Sequence, residues 1–98
     1  PVIIAIGGDK PVETKVIEME NISAVSAACQ NILLAAHALG LGAIWRTGEW
    51  ARDEKVKEFF GLSVDQHLAG FIYVGYPEVI GEPLIRPSFE DRTVWMEG

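Results

Sequence analysis

Two apolar runs in the sequence predict buried β-strands. Residues 2–6 are mostly β-branched and are followed by Gly7 and Gly8, which is typical of a strand buried on both faces. Residues 68–76 form the second run, which stops at Pro77, a residue that cannot donate to a sheet ladder. Residues 9–20 are polar and have no sustained period, so they predict a loop that leads into a helix.

Residues 21–45 contain no Asp, Glu, Lys or Arg, and most of this stretch predicts an apolar helix. Its apolar residues recur at spacings of three and four: Ile22, Val25, Cys29, Ile32, Ala36 and Leu39. Gly40 follows the last of them, where a left-handed helix cap is expected. The length would suit a membrane span, but Ser23, Gln30 and His37 interrupt the stretch, so we expect no membrane insertion.

A helix that is apolar nearly all round is normally a buried helix. A chain of 98 residues cannot easily surround such a helix by itself. We therefore expect a second copy of the chain, or a further part of the same protein, to cover it. The isolated chain should be prone to aggregation or obligately paired.

The second half of the chain predicts a short strand, a loop and a short helix. Residues 43–45 favour an extended segment, and residues 47–50 a loop. Asp53 is a helix-capping residue type, and a helix is expected from there through Phe60, with Val56, Phe59 and Phe60 as its apolar face and Gly61 just past its end. The tail after Pro77 is rich in proline and then in charge.

Charge and cysteine content narrow the possible partners and compartment. The net charge of -6 offers no electrostatic footprint for nucleic acid or for an anionic membrane surface. The single cysteine, Cys29, has alanine neighbours and is interpreted as a small buried apolar residue. Because it cannot form an internal disulfide, a reducing cytoplasm is the expected compartment.

The sequence contains few candidates for catalysis by side chains. His37, His67 and Cys29 do not share a metal-ligand spacing, and Ser23 has no nearby base, so neither a metal site nor a catalytic residue is predicted. The acidic residues around Asp53 stand beside Lys55 and Lys57, which favours solvated ion pairs. Gly40 and Gly42 lack the context of a phosphate-binding loop and are interpreted as cap and turn glycines.

One long stretch resembles a known family. Residues 30–48 read QNILLAAHALGLGAIWRTG, which is similar to the central helix and flavin-facing segment of the nitroreductase family. Three further matches follow in the family's order: EFFGL at residues 58–62, GFIYVGYP at 70–77, and RPSFE at 86–90 with WME at 95–97. The Trp-Arg-Thr-Gly version is most like a compact branch of the family.

The resemblance implies an α+β fold with an antiparallel-rich sheet flanked by helices, in which the long apolar helix lies in a homodimer interface. It implies FMN bound non-covalently, NAD(P)H as electron donor, and nitroaromatic or quinone-like acceptors. Trp45, Arg46, Thr47 and Gly48 match the segment along the flavin ring, where the backbone is expected to donate a hydrogen bond towards N5 and O4. Gly48 would let that loop approach a flat ring closely.

Parts of the family pattern are missing, which predicts that residues 1–98 are the C-terminal part of a single nitroreductase-like domain. The chain starts at Pro1 directly inside an apparent strand, and the arginine-rich segment that grips the FMN phosphate in the family would lie before it. Ile85 stands where many relatives have a basic residue, although Arg86 is adjacent. These 98 residues alone should bind FMN poorly. Two alternatives stay open: a non-enzymatic dimerising module, and a family member that uses flavin for another reaction, such as dehalogenation.

Overall fold

A computed structural model describes residues 1–10 and 18–98 of the chain. The loop predicted for residues 9–20 therefore lies largely outside the described residues, and residues 18–20 are already helical. The elements follow one another in the order β1 (Val2–Gly8), α1 (Glu18–Ala38), β2 (Gly42–Arg46), α2 (Glu49–Arg52), α3 (Glu54–Phe59), β3 (His67–Gly75) and a 3-10 turn (Glu90–Arg92).

The three strands form one antiparallel sheet with β3 in the middle, in the order β1-β3-β2. Directly opposed residues share a face, so Ile4, Ile72 and Trp45 lie on one side of the sheet. Ile72 has no exposed surface, and α1, which packs against all three strands, covers this side. The small α+β architecture with an antiparallel sheet confirms the predicted fold class.

Helix α1 contacts the sheet through the middle of its predicted apolar stripe. Cys29 has no exposed surface, Ala36 is 6% exposed, and Val25 and Ile32 are half-buried. At the helix end, the N–H of Gly40 donates to the carbonyl of His37 at 3.1 Å and that of Leu41 to the carbonyl of Ala36 at 2.9 Å. Gly40 has φ 77°, so the predicted left-handed glycine cap is confirmed.

One burial prediction fails for the described part of the chain. Strand β1 is an edge strand, not one buried on both faces, and Val2 and Ile3 are each 60% exposed. Most of α1 is also exposed, and Leu39, just past its end, is 77% exposed; that a second copy or a further part of the protein covers this helix stays a prediction. The apolar sequences of β1 and α1 predict burial, but the described residues leave much of both elements uncovered. No described helix is both long enough and apolar enough to cross a membrane.

The region after β2 is more helical than predicted. Glu49 and Trp50 begin α2 instead of belonging to a loop. The Asp53 carboxylate caps α3, because its Oδ1 accepts from the N–H of Lys55 at 2.8 Å and of Val56 at 3.3 Å, as predicted.

The predicted surroundings of α3 are partly wrong. Phe59, expected on its apolar face, is 82% exposed. None of the ion pairs recorded among the described residues involves α3; they are Lys10–Asp65, His67–Glu18 and Arg92–Asp91. Among the described residues, the solvated pairs predicted around Asp53 are not recorded, and the Asp53 carboxylate is engaged by the backbone of α3 instead.

Candidate functional site

The segment predicted to face a flavin, residues 45–48, forms the end of β2 and the turn into α2. Trp45 is opposed to Ile72 of β3, and Arg46 is opposed to Phe71. Adjacent strand residues point to opposite faces, so the side chains of Trp45 and Arg46 lie on different sides of the sheet. The structure therefore places the four residues in one segment, but it does not place all four side chains at one surface.

The side chain of Trp45 is half-buried against the middle strand. Its indole Nε1 donates a hydrogen bond to the carbonyl oxygen of Ala69 at 3.2 Å. The ring lies over Gly70, where an added β-carbon would stand 2.8 Å from its Cδ1 atom. Trp45 lines neither of the two cavities described below.

The turn at Thr47 and Gly48 is exposed and leaves the sheet. Gly48 has φ 116° and ψ -158°, a region of backbone conformation open essentially to glycine alone. A β-carbon at Gly48 would meet no atom within 4 Å, so the space above it is open. Within the described residues, no hydrogen bond from the Gly48 N–H is recorded, while its carbonyl accepts from Ala51 at 3.2 Å.

A cavity of about 290 Å³ opens where the ends of β1 and β2 meet the start of β3. Thr47 and Gly48 form part of its wall. Its other lining groups include several polar and cationic side chains: Asn21, Ser26, Arg52, Lys57 and His67. We call it the end cavity.

A second cavity, of about 420 Å³, lies on the sheet face that carries Arg46. Its wall is mostly apolar and aromatic and includes Ile3, Trp50, Val56, Phe60, Phe71 and Tyr73. The rings of Phe60 and Phe71 lie with their centroids 6.1 Å apart. Arg46 is the cationic side chain of this wall, and Thr47 lines both cavities. We call it the face cavity.

Sequence reasoning missed most of the residues around the two cavities. Lys57 was interpreted as a solvated surface lysine, but it is half-buried in the wall of the end cavity. The sequence around Lys57 does not indicate this burial, because the cavity is formed by strand ends that are distant in sequence. Trp50 and Phe60 were recognisable as aromatic, and only the sheet brings them beside Phe71.

The remaining candidate side chains do not assemble into a reactive cluster. Nε2 of His67 is within hydrogen-bonding distance of Oε1 of Glu18, while His37 is exposed near the end of α1. Burial raises the pKa of the Cys29 thiol, and a backbone hydrogen bond partly opposes that shift. Among residues 1–10 and 18–98, no group of three or more His, Cys, Asp or Glu side chains is placed to hold a metal ion.

The chain belongs to the nitroreductase family, whose model matches residues 1–76. "Putative NAD(P)H nitroreductase YfhC" of Bacillus subtilis is 33% identical over 73 residues, covering 74% of this chain. An archaeal relative from Methanothermobacter thermautotrophicus, named "Putative NADH dehydrogenase/NAD(P)H nitroreductase", is 49% identical over 75 residues, also 74% of this chain. "Putative NAD(P)H nitroreductase YdjA" of Escherichia coli K12 is 32% identical over 79 residues, covering 81% of this chain. The resemblance stated from residues 30–48 is thereby confirmed.

Solved structures agree with the family assignment. A nitroreductase-like family protein from Bacillus cereus superposes on 98% of this chain with a TM-score of 0.84 at 25% identity. A structure from Desulfovibrio desulfuricans, described as a "putative nitroreductase in complex with fmn", covers 90% of this chain with a TM-score of 0.71 at 32% identity. The chain spans 38 to 43% of the length of the three relatives and 51% of each structure.

Proposed function

We propose that the protein containing this chain is an FMN-dependent oxidoreductase that transfers hydride from NAD(P)H through flavin N5 to nitroaromatic or quinone-like acceptors. Membership of the nitroreductase family supports the reaction class. The observation that carries the proposal in this chain is the exposed turn at Thr47 and Gly48 beside two cavities, where open space lies at the β-carbon position of Gly48 and no hydrogen bond from its N–H is recorded among the described residues.

The turn has the properties needed beside a flavin ring. The Gly48 N–H is a donor held by the backbone, and the residue has no side chain to obstruct a flat ligand. A preorganised backbone donor stabilises negative charge at the atom it faces without depending on side-chain rotamers. Within the proposal, residues 45–48 supply the ring-facing segment, with its N–H groups directed to N5 and O4. FMN, when bound, would supply the two-electron hydride chemistry.

The face cavity suits the proposed class of acceptor. Flat, electron-poor rings pack well against aromatic walls, and Trp50, Phe60, Phe71 and Tyr73 provide such a wall. Arg46 adds one positive charge at the same wall, which would favour acceptors that carry or develop negative charge.

We also propose that the protein acts as a cytoplasmic homodimer. Several large apolar side chains of α1 and just past its end are exposed: Met19 is 72% exposed, Leu34 58% and Leu39 77%. Large exposed apolar side chains along one helix favour an interface with another polypeptide. A second copy of α1 packed against this helix would bury it as the sequence pattern requires.

The decisive experiment uses the full-length protein with whatever native sequence flanks this chain. We expect a yellow preparation, or a colourless one that quenches the fluorescence of added FMN, and oxidation of NADH or NADPH by a nitroaromatic or a quinone under anaerobic conditions. Sedimentation velocity should give a dimer. A dimer that remains colourless with added FMN would instead support the dimerising module. Flavin that is reduced by NAD(P)H but not reoxidised by either acceptor would indicate a different reductive reaction.

A further inference from the structure

Within residues 45–48, the side chain of Trp45 is placed differently from the three residues that follow it. Its indole is held against β3, whereas Arg46, Thr47 and Gly48 border the cavities. We propose that Trp45 is a positioning residue, which anchors the end of β2 so that the backbone of residues 46–48 is presented to FMN. This inference rests on the proposed flavin function and assigns to the Trp45 side chain a role other than contact with the ring.

The anchor is a single hydrogen bond near the end of the pairing between β2 and β3. The indole Nε1 of Trp45 donates to the Ala69 carbonyl at 3.2 Å, a link between residues far apart in sequence. The pairing of β2 with β3 ends at Arg46 and Phe71, one residue beyond Trp45. The hydrogen bond from Trp45 reaches past this last pair, so it ties down the backbone at the point where the chain departs from the sheet.

Gly70 makes this close approach possible. A β-carbon there would stand 2.7 Å from the carbonyl oxygen of Arg46 and 2.8 Å from Cδ1 of Trp45, both closer than real β-carbon contacts. Gly70 also has φ 150° and lies beside the register shift in the pairing of β1 with β3. The irregular middle strand thus accepts both the indole and the backbone of Arg46 in the space that a side chain would fill.

The side chains of Trp45 and Arg46 point to opposite faces of the sheet, so the residue that anchors the strand end is not the one that borders the face cavity. Trp45 shares a face with Ile72, while Arg46 points to the face cavity. A ligand in contact with the Arg46 side chain is therefore on the other side of the sheet from the indole. Loss of the indole N–H should change a ligand site in the face cavity only through the backbone of residues 46–48, because Ala69, the acceptor of this bond, does not line that cavity.

The test compares Trp45→Phe with Trp95→Phe in the full-length protein. Trp45→Phe keeps an aromatic ring and removes the N–H donor, and Trp95→Phe makes the same chemical change at a side chain that is 81% exposed. We expect Trp45→Phe to speed amide hydrogen exchange at residues 46–48 and to weaken FMN binding by about three- to tenfold, in keeping with loss of one hydrogen bond. The visible absorbance bands of bound FMN should shift as well. Trp95→Phe should change none of these.

Two results would overturn the inference, and they are distinguishable. If Trp45→Phe lowers the melting temperature but leaves FMN affinity, FMN absorbance and exchange at residues 46–48 at wild-type values, the indole serves only packing. The proposed function then stands without the positioning role. If the wild-type protein fails to bind FMN, both the positioning role and the proposed function are wrong.

Discussion

Gly8, the last residue of β1, packs directly against Val25 of α1. A β-carbon at Gly8 would stand 2.8 Å from Cγ2 of Val25, a distance that real β-carbons do not adopt. Gly8 is buried, and it lies just beyond the register shift between Ile6 and Gly7. The absence of a side chain at this position therefore sets how closely the end of the sheet approaches the helix.

Gly8→Ala should destabilise the fold, because the β-branched Val25 side chain has little freedom to move away. We expect a loss of about 1–3 kcal/mol in the free energy of unfolding, as for overpacking elsewhere in protein cores. Urea denaturation monitored by circular dichroism measures it. The matched control is Gly75→Ala in β3, where an added β-carbon meets no atom within 4 Å. Equal unfolding midpoints for the two variants would show that the Gly8–Val25 contact does not limit packing.

The cap of α3 gives a second stability prediction. Removing the carboxylate with Asp53→Ala leaves the N–H groups of Lys55 and Val56 without their acceptor. The expected cost is about 1 kcal/mol, within the range of roughly 0.5–2 kcal/mol typical of such caps. Asp53→Asn should keep most of the stability, because an amide oxygen still accepts from these donors. A similar loss in both variants would indicate that charge, and not the capping bond, is responsible.

The buried thiol of Cys29 predicts slow chemistry in the folded state. Cys29 has no exposed surface, and burial raises its pKa above the ordinary value of 9.0. Ellman's reagent should therefore react slowly with the native protein and completely in denaturant. Rapid modification of the native protein would contradict the burial of this residue.

The same pKa shift fixes the direction of a pH effect on stability. The folded state holds the thiol proton to higher pH than the unfolded state does, so the contribution of Cys29 is fully present below the unfolded pKa. That contribution is lost as the pH rises above 9.0. The difference in unfolding free energy between wild type and Cys29→Ala should shrink over this range. A difference that is constant with pH would contradict the raised pKa.

The features that sequence predicted well depend on local chemistry. Gly40 follows the last position of an apolar repeat and Asp53 precedes a short amphipathic stretch, and both act as the caps expected. Strands β1 and β3 follow from apolar runs, the first closed by Gly7 and Gly8 and the second stopped by Pro77. In each case the signal and the structure lie within a few residues of one another.

The features that sequence missed depend on pairing across the sheet. No local pattern indicates that β3 carries a register shift beside Gly70, or that Trp45 reaches the carbonyl of Ala69. The exposure of Ile3 in β1 has a different cause. The apolar run predicts burial from composition alone, whereas β1 lies at the edge of the sheet and the described residues leave Ile3 60% exposed.

The turn into α2 offers the most direct test of the proposal that residues 45–48 face a flavin. Gly48 combines φ 116° with ψ -158°, which a residue with a β-carbon adopts only at a cost of about 1–3 kcal/mol. An added methyl group has open space, so Gly48→Ala should act through backbone strain and rotate the Thr47–Gly48 peptide. We expect FMN to bind about tenfold more weakly to the full-length variant, since 1.4 kcal/mol corresponds to a factor of ten.

Gly61→Ala provides the control for that strain. Gly61 also has a positive φ, 76°, and open space around it, but it lies past the end of α3 and lines neither cavity. Both variants should lower the melting temperature, whereas only Gly48→Ala should weaken FMN binding in a fluorescence titration. Equal FMN affinity in the two variants would show that the Gly48 backbone is not part of the flavin site. Backbone strain at Gly48 would then affect FMN binding no more than strain at Gly61.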